Sequence, residues 1–309
     1  MSDAIDLDLL DESFSEMLGT EWPRERSVAY AQSGNLIAAN LWSQMAGLGW
    51  TALTVPEAYG GLGLGIDAAS RLHAALGAVA APVPMLGTTM AVALIAHAGS
   101  AEQRAAWLPE LADGSMRPGF AQPSGDWLAI DHASVSGVVA DILDVPCATH
   151  VVLNGRRGGK ACWIVLPTNA PGLSAEAHPL NDTSRTLGTV TLSQVALAED
   201  AVILPPDGDK VTGLLEHWGC IALASDSLGI GEAVLDLTIE YLQVREQFGK
   251  VIGSFQALKH RVADHKTALV GARELLAHVA SLDPCDPASL IHALSAKAHV
   301  TRVAAEIAR

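Results

Sequence analysis

The sequence is poor in basic side chains, in cysteine and in aromatic rings, and the first two scarcities exclude classes of protein. Lys and Arg number 19 against 34 Asp and Glu, so the net charge is −15. That balance argues against a nucleic-acid surface, which needs clustered cations. The four cysteines have no CxxC or metal-ligand spacing, which is typical of buried thiols in a reduced, cytoplasmic protein. The eleven histidines offer no HxxxH pair, so no metal site is predicted.

The sequence also shows no targeting or membrane-spanning pattern. The N-terminal stretch MSDAIDLDLLDESF is acidic and lacks a basic n-region and an apolar core, so no signal peptide is expected. The least polar stretch, residues 74–96, carries no charge but contains Pro82 and Pro84. Because a bilayer span needs ~20 apolar residues in an unbroken helix, this stretch predicts a buried pair of helices instead.

What the chain does contain is a change of periodicity that divides it into three segments. Alanine is abundant and half of the residues are hydrophobic, which favours close-packed helices. Helical periodicity extends to about Gly114, short β-rich runs (HVVL, CWIVL, TVTL) follow, and helical periodicity returns after Pro205-Pro206. The predicted fold is α+β and mainly α. It has an N-terminal helical domain (1–115), a middle antiparallel β domain (116–207) and a C-terminal helical bundle (208–309).

The stretch YLQVREQFGKVIGSFQALKHRVAD, from Tyr241 to Asp264, joins two helical patterns. Gly249 stands where a helix would end, and Gln256 falls just inside the second helix. The first helix should bury one face, because its apolar residues recur at helical spacing: Leu228, Leu235, Ile239 and Leu242. An arginine, a glutamine and an aromatic ring are therefore expected together at a helix–turn–helix corner.

Two interpretations of this corner are open from the residues alone. In the first, Arg245 caps the last carbonyls of its helix and Phe248 belongs to the core. In the second, the planar guanidinium binds a pyrophosphate, while the ring and an amide contact a flat adenine.

The order of residues in this corner resembles the flavin-contact signature of the acyl-CoA dehydrogenase family. The matching positions are Arg245, Gln247-Phe248-Gly249, Ile252, Phe255-Gln256 and Ala263-Asp264. In that family the corner typically holds the ADP half of an FAD that is bound mainly by a neighbouring subunit. The resemblance therefore implies FAD as cofactor, with Arg245, Gln247, Phe248 and Gln256 in contact with it.

The resemblance covers nearly the whole chain but fails at the expected flavin-ring site. The loop at residues 48–63, the WLPEL stretch before Gly114 and the Asp182–Arg185 stretch all resemble family motifs. The family usually has Thr-Glu-Pro, a short gap and Gly-Ser-Asp beside the flavin ring. This chain has AQPSGD at Ala121–Asp126, and the family's Trp-Ile-Ser/Thr strand has no clear counterpart before Val138. We infer that the chain's own isoalloxazine pocket is degraded.

No glutamate of this sequence stands where the family carries its catalytic base. The family's α,β-dehydrogenation of an acyl-CoA needs a glutamate that removes the α-proton while hydride leaves to the flavin. One family placement of this glutamate lies in a segment that would follow Arg309, together with a Gln-x-x-Gly-Gly turn. The other falls on Gly219 or its immediate neighbours. Glu216 is about one turn early and Asp226 about two turns late, so both are expected to be ordinary helix-surface charges. No catalytic residue is predicted here.

Half of a flavin site without a base resembles the smaller, non-catalytic subunit of heteromeric acyl-CoA dehydrogenases, the kind associated with steroid degradation in actinobacteria. The resemblance implies a homologous catalytic partner in an α2β2 heterotetramer, an acyl-CoA substrate and electron-transfer flavoprotein as electron acceptor. No nucleic-acid or membrane partner is implied. Two alternatives stay open: a homotetrameric dehydrogenase whose C-terminal glutamate segment is missing from this sequence, or a structural paralogue that binds no flavin.

Overall fold

The computed structural model describes residues 7–125, 127–130 and 133–309. Long helices stand at both ends of this part of the chain, and most of its strands lie between them. The α-helices are α1 (Leu7–Glu21), α2 (Arg24–Ala31), α3 (Ala39–Gly47), α4 (Ile66–Ala78), α5 (Met85–Ala98), α6 (Ala101–Ala112), α7 (Gly208–Val244), α8 (Gln256–Ala280) and α9 (Pro287–Ile307). The strands are β1 (Pro118–Phe120), β2 (Leu128–Ala129), β3 (Ser134–Leu143), β4 (His150–Arg157), β5 (Lys160–Pro167), β6 (Leu173–Ala177), β7 (Leu187–Ala196), β8 (Val202–Ile203), β9 (Glu246–Gln247) and β10 (Lys250–Val251).

The chain divides into two compact units. The sheet unit comprises Val28–Ala69 and Pro82–Gly219. The helical unit comprises the described residues up to Ser27, together with Ser70–Ala81 and Cys220–Arg309. A mainly helical chain with one large sheet agrees with the predicted α+β class. The predicted boundaries at 115 and 207 lie next to the start of β1 and the start of α7, and the three-domain division stays a prediction. In the described ranges we find no helix with the length and hydropathy required to cross a bilayer.

Strands β1 to β8 form one sheet in the order β6-β7-β3-β1-β4-β5-β8, with β2 beside β4. The long pairs β3–β7 and β4–β5 are antiparallel, as predicted. The pairs β1–β4 and β2–β4 are parallel, so the sheet is mixed rather than purely antiparallel. The sequence did not indicate these parallel pairs, because strands of two or three residues show no periodicity.

The hydrophobic core of the sheet unit is formed largely by side chains of the sheet strands. β4 and β5 are buried along nearly their whole length, which explains why both are continuous apolar runs rather than alternating ones. β3 and β7 alternate buried and exposed residues over much of their length, as strands with one solvated face do. The apolar core draws on both pairs of strands, and its members include Val139, Ile142, Val151, Leu153, Ile164, Leu166, Val190 and Leu192.

A buried carboxyl joins the sheet to the N-terminus of α5. Asp144 follows β3 in a left-handed conformation (φ 58°), and it accepts a hydrogen bond from the backbone N–H of Gly87 in the first turn of α5. Thr186 Oγ1 lies 3.4 Å from Asp144 Oδ1. Burial raises the pKa of Asp144 to about 6, although the nearby Arg185 charge pulls it down. The helix N-terminus stabilises the charged form, but it does not offset the loss of water.

Replacement of this carboxyl by an amide is expected to stabilise the protein above neutrality. Because the folded-state pKa of Asp144 lies above its ordinary 3.8, its contribution to stability is complete below pH 3.8 and is lost as pH rises through about 6. Asp144→Asn keeps an oxygen for the Gly87 N–H and tolerates the left-handed backbone. The free energy of unfolding, measured with urea, is expected to rise by up to about 3 kcal/mol at pH 8 and to change little at pH 4.

The matched control is Asp200→Asn, at an exposed position of the same unit. It should change the free energy of unfolding by less than about 0.5 kcal/mol at either pH. A destabilised Asp144→Asn protein at pH 8 would show that the charged carboxylate is the favoured form in the folded protein.

The helical unit contains α8, α9 and the part of α7 from Cys220 onward; the three helices have 25, 21 and, over its whole length, 37 residues. The predicted buried face of α7 is confirmed at Leu228 and Leu235, and its later members Ile239 and Leu242 are half-buried. Arg273 of α8 donates from Nε to Glu232 of α7 at 3.1 Å.

Two glycines allow the backbones of α4 and α7 to touch. A Cβ added to Gly229 would lie 1.9 Å from the carbonyl oxygen of Ala74, and one added to Gly77 would lie 2.3 Å from that of Asp226. One turn away, the hydroxyls of Ser70 and Ser225 are hydrogen-bonded at 2.7 Å in a buried position. The contact between these helices therefore depends on small residues from both sides.

Candidate functional site

The Arg-Glu-Gln-Phe-Gly stretch forms a β-hairpin between two helices. α7 ends at Val244, and β9 pairs with β10 through Gln247↔Lys250 and Glu246↔Val251. Phe248 (φ 56°) and Gly249 (φ 76°) form the two-residue turn, both in the left-handed region. The predicted helix–turn–helix corner is wrong in this respect, since Gly249 closes the hairpin and does not end the helix. α8 begins at Gln256, as predicted.

The hairpin presents its predicted contact residues to solvent. Phe248 is 89% exposed, which excludes the interpretation that it belongs to the core. The side chains of Arg245, Gln247 and Gln256 are exposed as well. Arg245 fixes the base of the hairpin through its backbone: its N–H donates to the Tyr241 carbonyl at 2.9 Å, and its carbonyl accepts from Ile252 at 2.8 Å. The four predicted residues therefore lie on the hairpin and on the first turn of α8.

Aromatic and polar contacts extend from the hairpin to the start of α8. The rings of Phe248 and Phe255 pack edge to face, with centroids 6.1 Å apart and planes at 86°. The Lys250 ammonium lies 4.2 Å from the centre of the Phe255 ring. Gln256 Nε2 and His260 Nε2 are hydrogen-bonded at 2.8 Å. We call this cluster the hairpin site, and it consists of Arg245, Gln247, Phe248, Lys250, Phe255 and Gln256.

The local charge is opposite to that of the whole chain. Residues 245–266 contain five Lys and Arg but two Asp and Glu, in a protein of net charge −15. Exposed guanidinium and ammonium groups beside an exposed ring and two amides match a ligand that combines an anionic group with a flat heterocycle. The residues present thus fit the ADP half of FAD, with its diphosphate and its adenine.

The loop expected beside the flavin ring is described from Ala121 to Gly125, and its last predicted member, Asp126, lies outside the described residues. The Gln122 carbonyl accepts hydrogen bonds from the side chain of Asn154 and from the backbone of Gly125. Asn154 Oδ1 and Trp163 Nε1 are buried without a hydrogen-bond partner in the described part of the chain. These two residues could not be predicted from the sequence, because a single Asn and a single Trp inside apolar strands give no motif.

The position where a base was sought is apolar. Within the described ranges, and apart from the backbone of α7 itself, a Cβ added to Gly219 would meet only the side chain of Met90, at 3.5 Å from Cε and 3.6 Å from Sδ. Glu216 and Asp226 are half-buried on the same helix. Among the described residues, no three His, Cys, Asp or Glu side chains are grouped so as to hold a metal ion.

Two family models match this chain. Residues 6–115 match "Acyl-CoA dehydrogenase, N-terminal domain", and residues 213–309 match "Acyl-CoA dehydrogenase, C-terminal domain". With the fold above, these matches define the class: the chain belongs to the acyl-CoA dehydrogenase family. Proteins of this family bind FAD, the cofactor that the resemblance implied.

Particular relatives resemble the chain over most of its length. Acyl-CoA dehydrogenase IpdE2 of Mycobacterium tuberculosis is 32% identical over 230 residues, which is 74% of this chain and 61% of that protein. IpdE2 of Mycolicibacterium smegmatis is 29% identical, with 77% and 64% covered. The chain therefore spans less than two thirds of the length of these curated relatives.

Solved structures show the same fold. A chain of the ChsE4-ChsE5 complex from Mycobacterium tuberculosis superposes with a TM-score of 0.86 at 22% identity, covering 100% of this chain and 87% of that one. A chain of the Tcur3481-Tcur3483 steroid ACAD variant superposes with a TM-score of 0.81 at 27% identity, covering 98% and 86%.

Proposed function

We propose that this chain is the non-catalytic subunit of a heteromeric, flavin-dependent acyl-CoA dehydrogenase. In this proposal it contacts the ADP half of an FAD whose flavin ring is held by a homologous catalytic subunit. The observation that carries the proposal is that the hairpin site is retained and points outward, with Phe248 89% exposed. Gly219, by contrast, faces a methionine and brings no carboxylate. A chain that kept a flavin for itself would be expected to keep both halves of the site.

The paired chains of the Tcur3481-Tcur3483 steroid ACAD support a homologous partner for this protein and a steroid-derived acyl-CoA as substrate. The assembly that we propose is an α2β2 heterotetramer in the cytoplasm, with electron-transfer flavoprotein as the electron acceptor.

The division of labour follows from the side chains that each subunit supplies. FAD, when bound, accepts the hydride from the acyl-CoA. In this chain the Arg245 guanidinium would donate charge-assisted hydrogen bonds to the diphosphate. The Phe248 ring would pack against the adenine, and the amides of Gln247 and Gln256 would hydrogen-bond to its polar edge. The partner supplies the base that removes the α-proton.

The stoichiometry of flavin tests this proposal. We expect the chain, co-expressed with a full-length member of the family that carries the glutamate, to purify as a heterotetramer with about two FAD. Four FAD per tetramer would mean that this chain keeps a complete flavin site of its own, as a homotetrameric enzyme would. No FAD contact from this chain would support the structural paralogue.

Arg245→Ala is expected to weaken FAD binding to the heterotetramer without unfolding the chain. A hydrogen bond to a charged group contributes about 1.5–3 kcal/mol, so the dissociation constant of FAD should rise about 10- to 150-fold. Flavin absorbance per tetramer and titration of the apo complex with FAD measure this change. Arg24→Ala, at an exposed arginine of α2 outside the basic stretch 245–266, is the matched control and should leave the dissociation constant unchanged. Equal effects of the two substitutions would contradict a specific role for Arg245.

A further inference from the structure

The ammonium of Lys250 is engaged by a ring of its own chain. It lies 4.2 Å from the centre of the Phe255 ring, at cation–π distance. Phe255 in turn contacts the ring of Phe248 edge to face, with centroids 6.1 Å apart. These three side chains form a continuous line from β10, across the start of α8, to the tip of the hairpin.

The tip needs such support because little else holds the Phe248 ring. Phe248 is 89% exposed and stands on a two-residue turn at φ 56°, so few neighbours restrict its rotamer. Phe255 is half-buried, directly before the first residue of α8. The Phe255 side chain is therefore more restricted than that of Phe248. Its edge-to-face contact restricts the rotamer of the Phe248 ring in turn.

We propose that Lys250 is a positioning residue for the FAD contact. Its cation–π contact holds Phe255, and Phe255 holds the Phe248 ring in the orientation that packs on the adenine. The inference rests on the proposed function, in which the hairpin site binds the ADP half of FAD. It assigns Lys250 an indirect role, distinct from the direct charge contact of Arg245.

A direct contact between Lys250 and the diphosphate would predict a different pattern of mutant effects. If Lys250 acts through Phe255, the effect of removing its charge should vanish once Phe255 is gone. If it acts on the diphosphate, the two effects should multiply, because independent contributions add in free energy. The direct contact should also weaken steeply with salt.

The experiment is a double-mutant cycle in the heterotetramer. FAD binding to the apo complex is measured for Lys250→Met, Phe255→Leu and the double variant, with ADP as a second probe that occupies only the ADP half. Lys250→Met keeps the length of the side chain and removes the charge. We expect it to raise the dissociation constants of FAD and of ADP about 2- to 5-fold. We expect the double variant to match Phe255→Leu alone within about 2-fold.

Two further variants separate positioning from mere folding. Lys250→Arg keeps a cation over the ring and should restore binding to within about 2-fold of the wild type. Lys210→Met, at an exposed lysine near the start of α7 and outside the basic stretch 245–266, should have no effect on either dissociation constant. The thermal midpoint of unfolding should be the same in the wild type and in the single lysine variants. Weaker binding by Lys250→Met that accompanies a lowered midpoint would overturn the inference.

The outcomes distinguish this inference from the proposed function. Multiplying effects in the cycle, or no effect of Lys250→Met beside a clear effect of Arg245→Ala, would overturn the positioning role and leave the proposed function standing. FAD binding that is unchanged by Arg245→Ala and by Phe248→Ala would overturn the proposed function itself, and this inference with it.

Discussion

Supplied with excess FAD but without a partner, the purified chain is expected to dehydrogenate an acyl-CoA at least about 100-fold more slowly than the heterotetramer. A positioned general base contributes about 10²–10⁴-fold to such a proton abstraction. At the position where the base was sought on α7, Gly219 has no side chain, and a Cβ added there would lie 3.5 Å from Met90 Cε. The measurement is the reduction of an artificial electron acceptor, with isolated chain and heterotetramer assayed at equal flavin content.

The two carboxylates nearest to this position provide the controls. Glu216→Gln and Asp226→Asn, each tested in the heterotetramer, should leave the turnover number within about 2-fold of the wild type. Rapid turnover by the isolated chain that is lost in one of these variants would refute the prediction and identify the base.

Gly229→Ala is expected to lower the free energy of unfolding by about 3 kcal/mol or more, the upper end of the range for overpacked cores. The added methyl would lie 1.9 Å from the Ala74 carbonyl oxygen. No rotamer change can relieve that clash, because both partners are helix backbone, so α4 and α7 would have to separate. The buried hydrogen bond between Ser70 and Ser225 would lengthen with them. Urea denaturation followed by circular dichroism measures the loss.

The matched control is Gly271→Ala on α8, where an added Cβ would meet no atom of the described residues within 4 Å apart from the helix's own backbone. There the substitution should raise the free energy of unfolding by about 0.5–1 kcal/mol, because alanine favours the helix and loses less backbone entropy. Similar losses in the two variants would show that the effect is one of helix propensity and not of contact between α4 and α7.

Long sequence patterns predicted the structure of this protein correctly, whereas short ones did not. The long helical repeat correctly placed Leu228 and Leu235 in the core, since apolar residues at helical spacing must share a face. The order Arg-x-Gln-Phe-Gly correctly indicated the family. The hairpin was missed because two-residue turns favour Asn-Gly or Asp-Gly, and a phenylalanine in the left-handed region is uncommon.

Features made by contact between distant residues could not be predicted. Gly77 and Gly229 are isolated glycines within helical patterns, where glycine by itself indicates only lower helix propensity. The structure shows why glycine is required at both positions, because each lies against a backbone carbonyl of the other helix. Similarly, Asp144 is one of many acidic residues, and its raised pKa follows from burial that no local pattern encodes.

The turn that carries Phe248 has a consequence for binding kinetics. Its backbone is already ordered in the chain alone, through the ladder of β9 and β10 and the bond from Ile252 to Arg245. A ligand that binds to this ring does not require the loop to fold first. Its binding restricts mainly the rotation of side chains on the hairpin. Preorganisation of this kind lowers the entropic cost of association. The capture rate at this corner is then expected to depend on encounter frequency and ionic strength, and not on a slow conformational step.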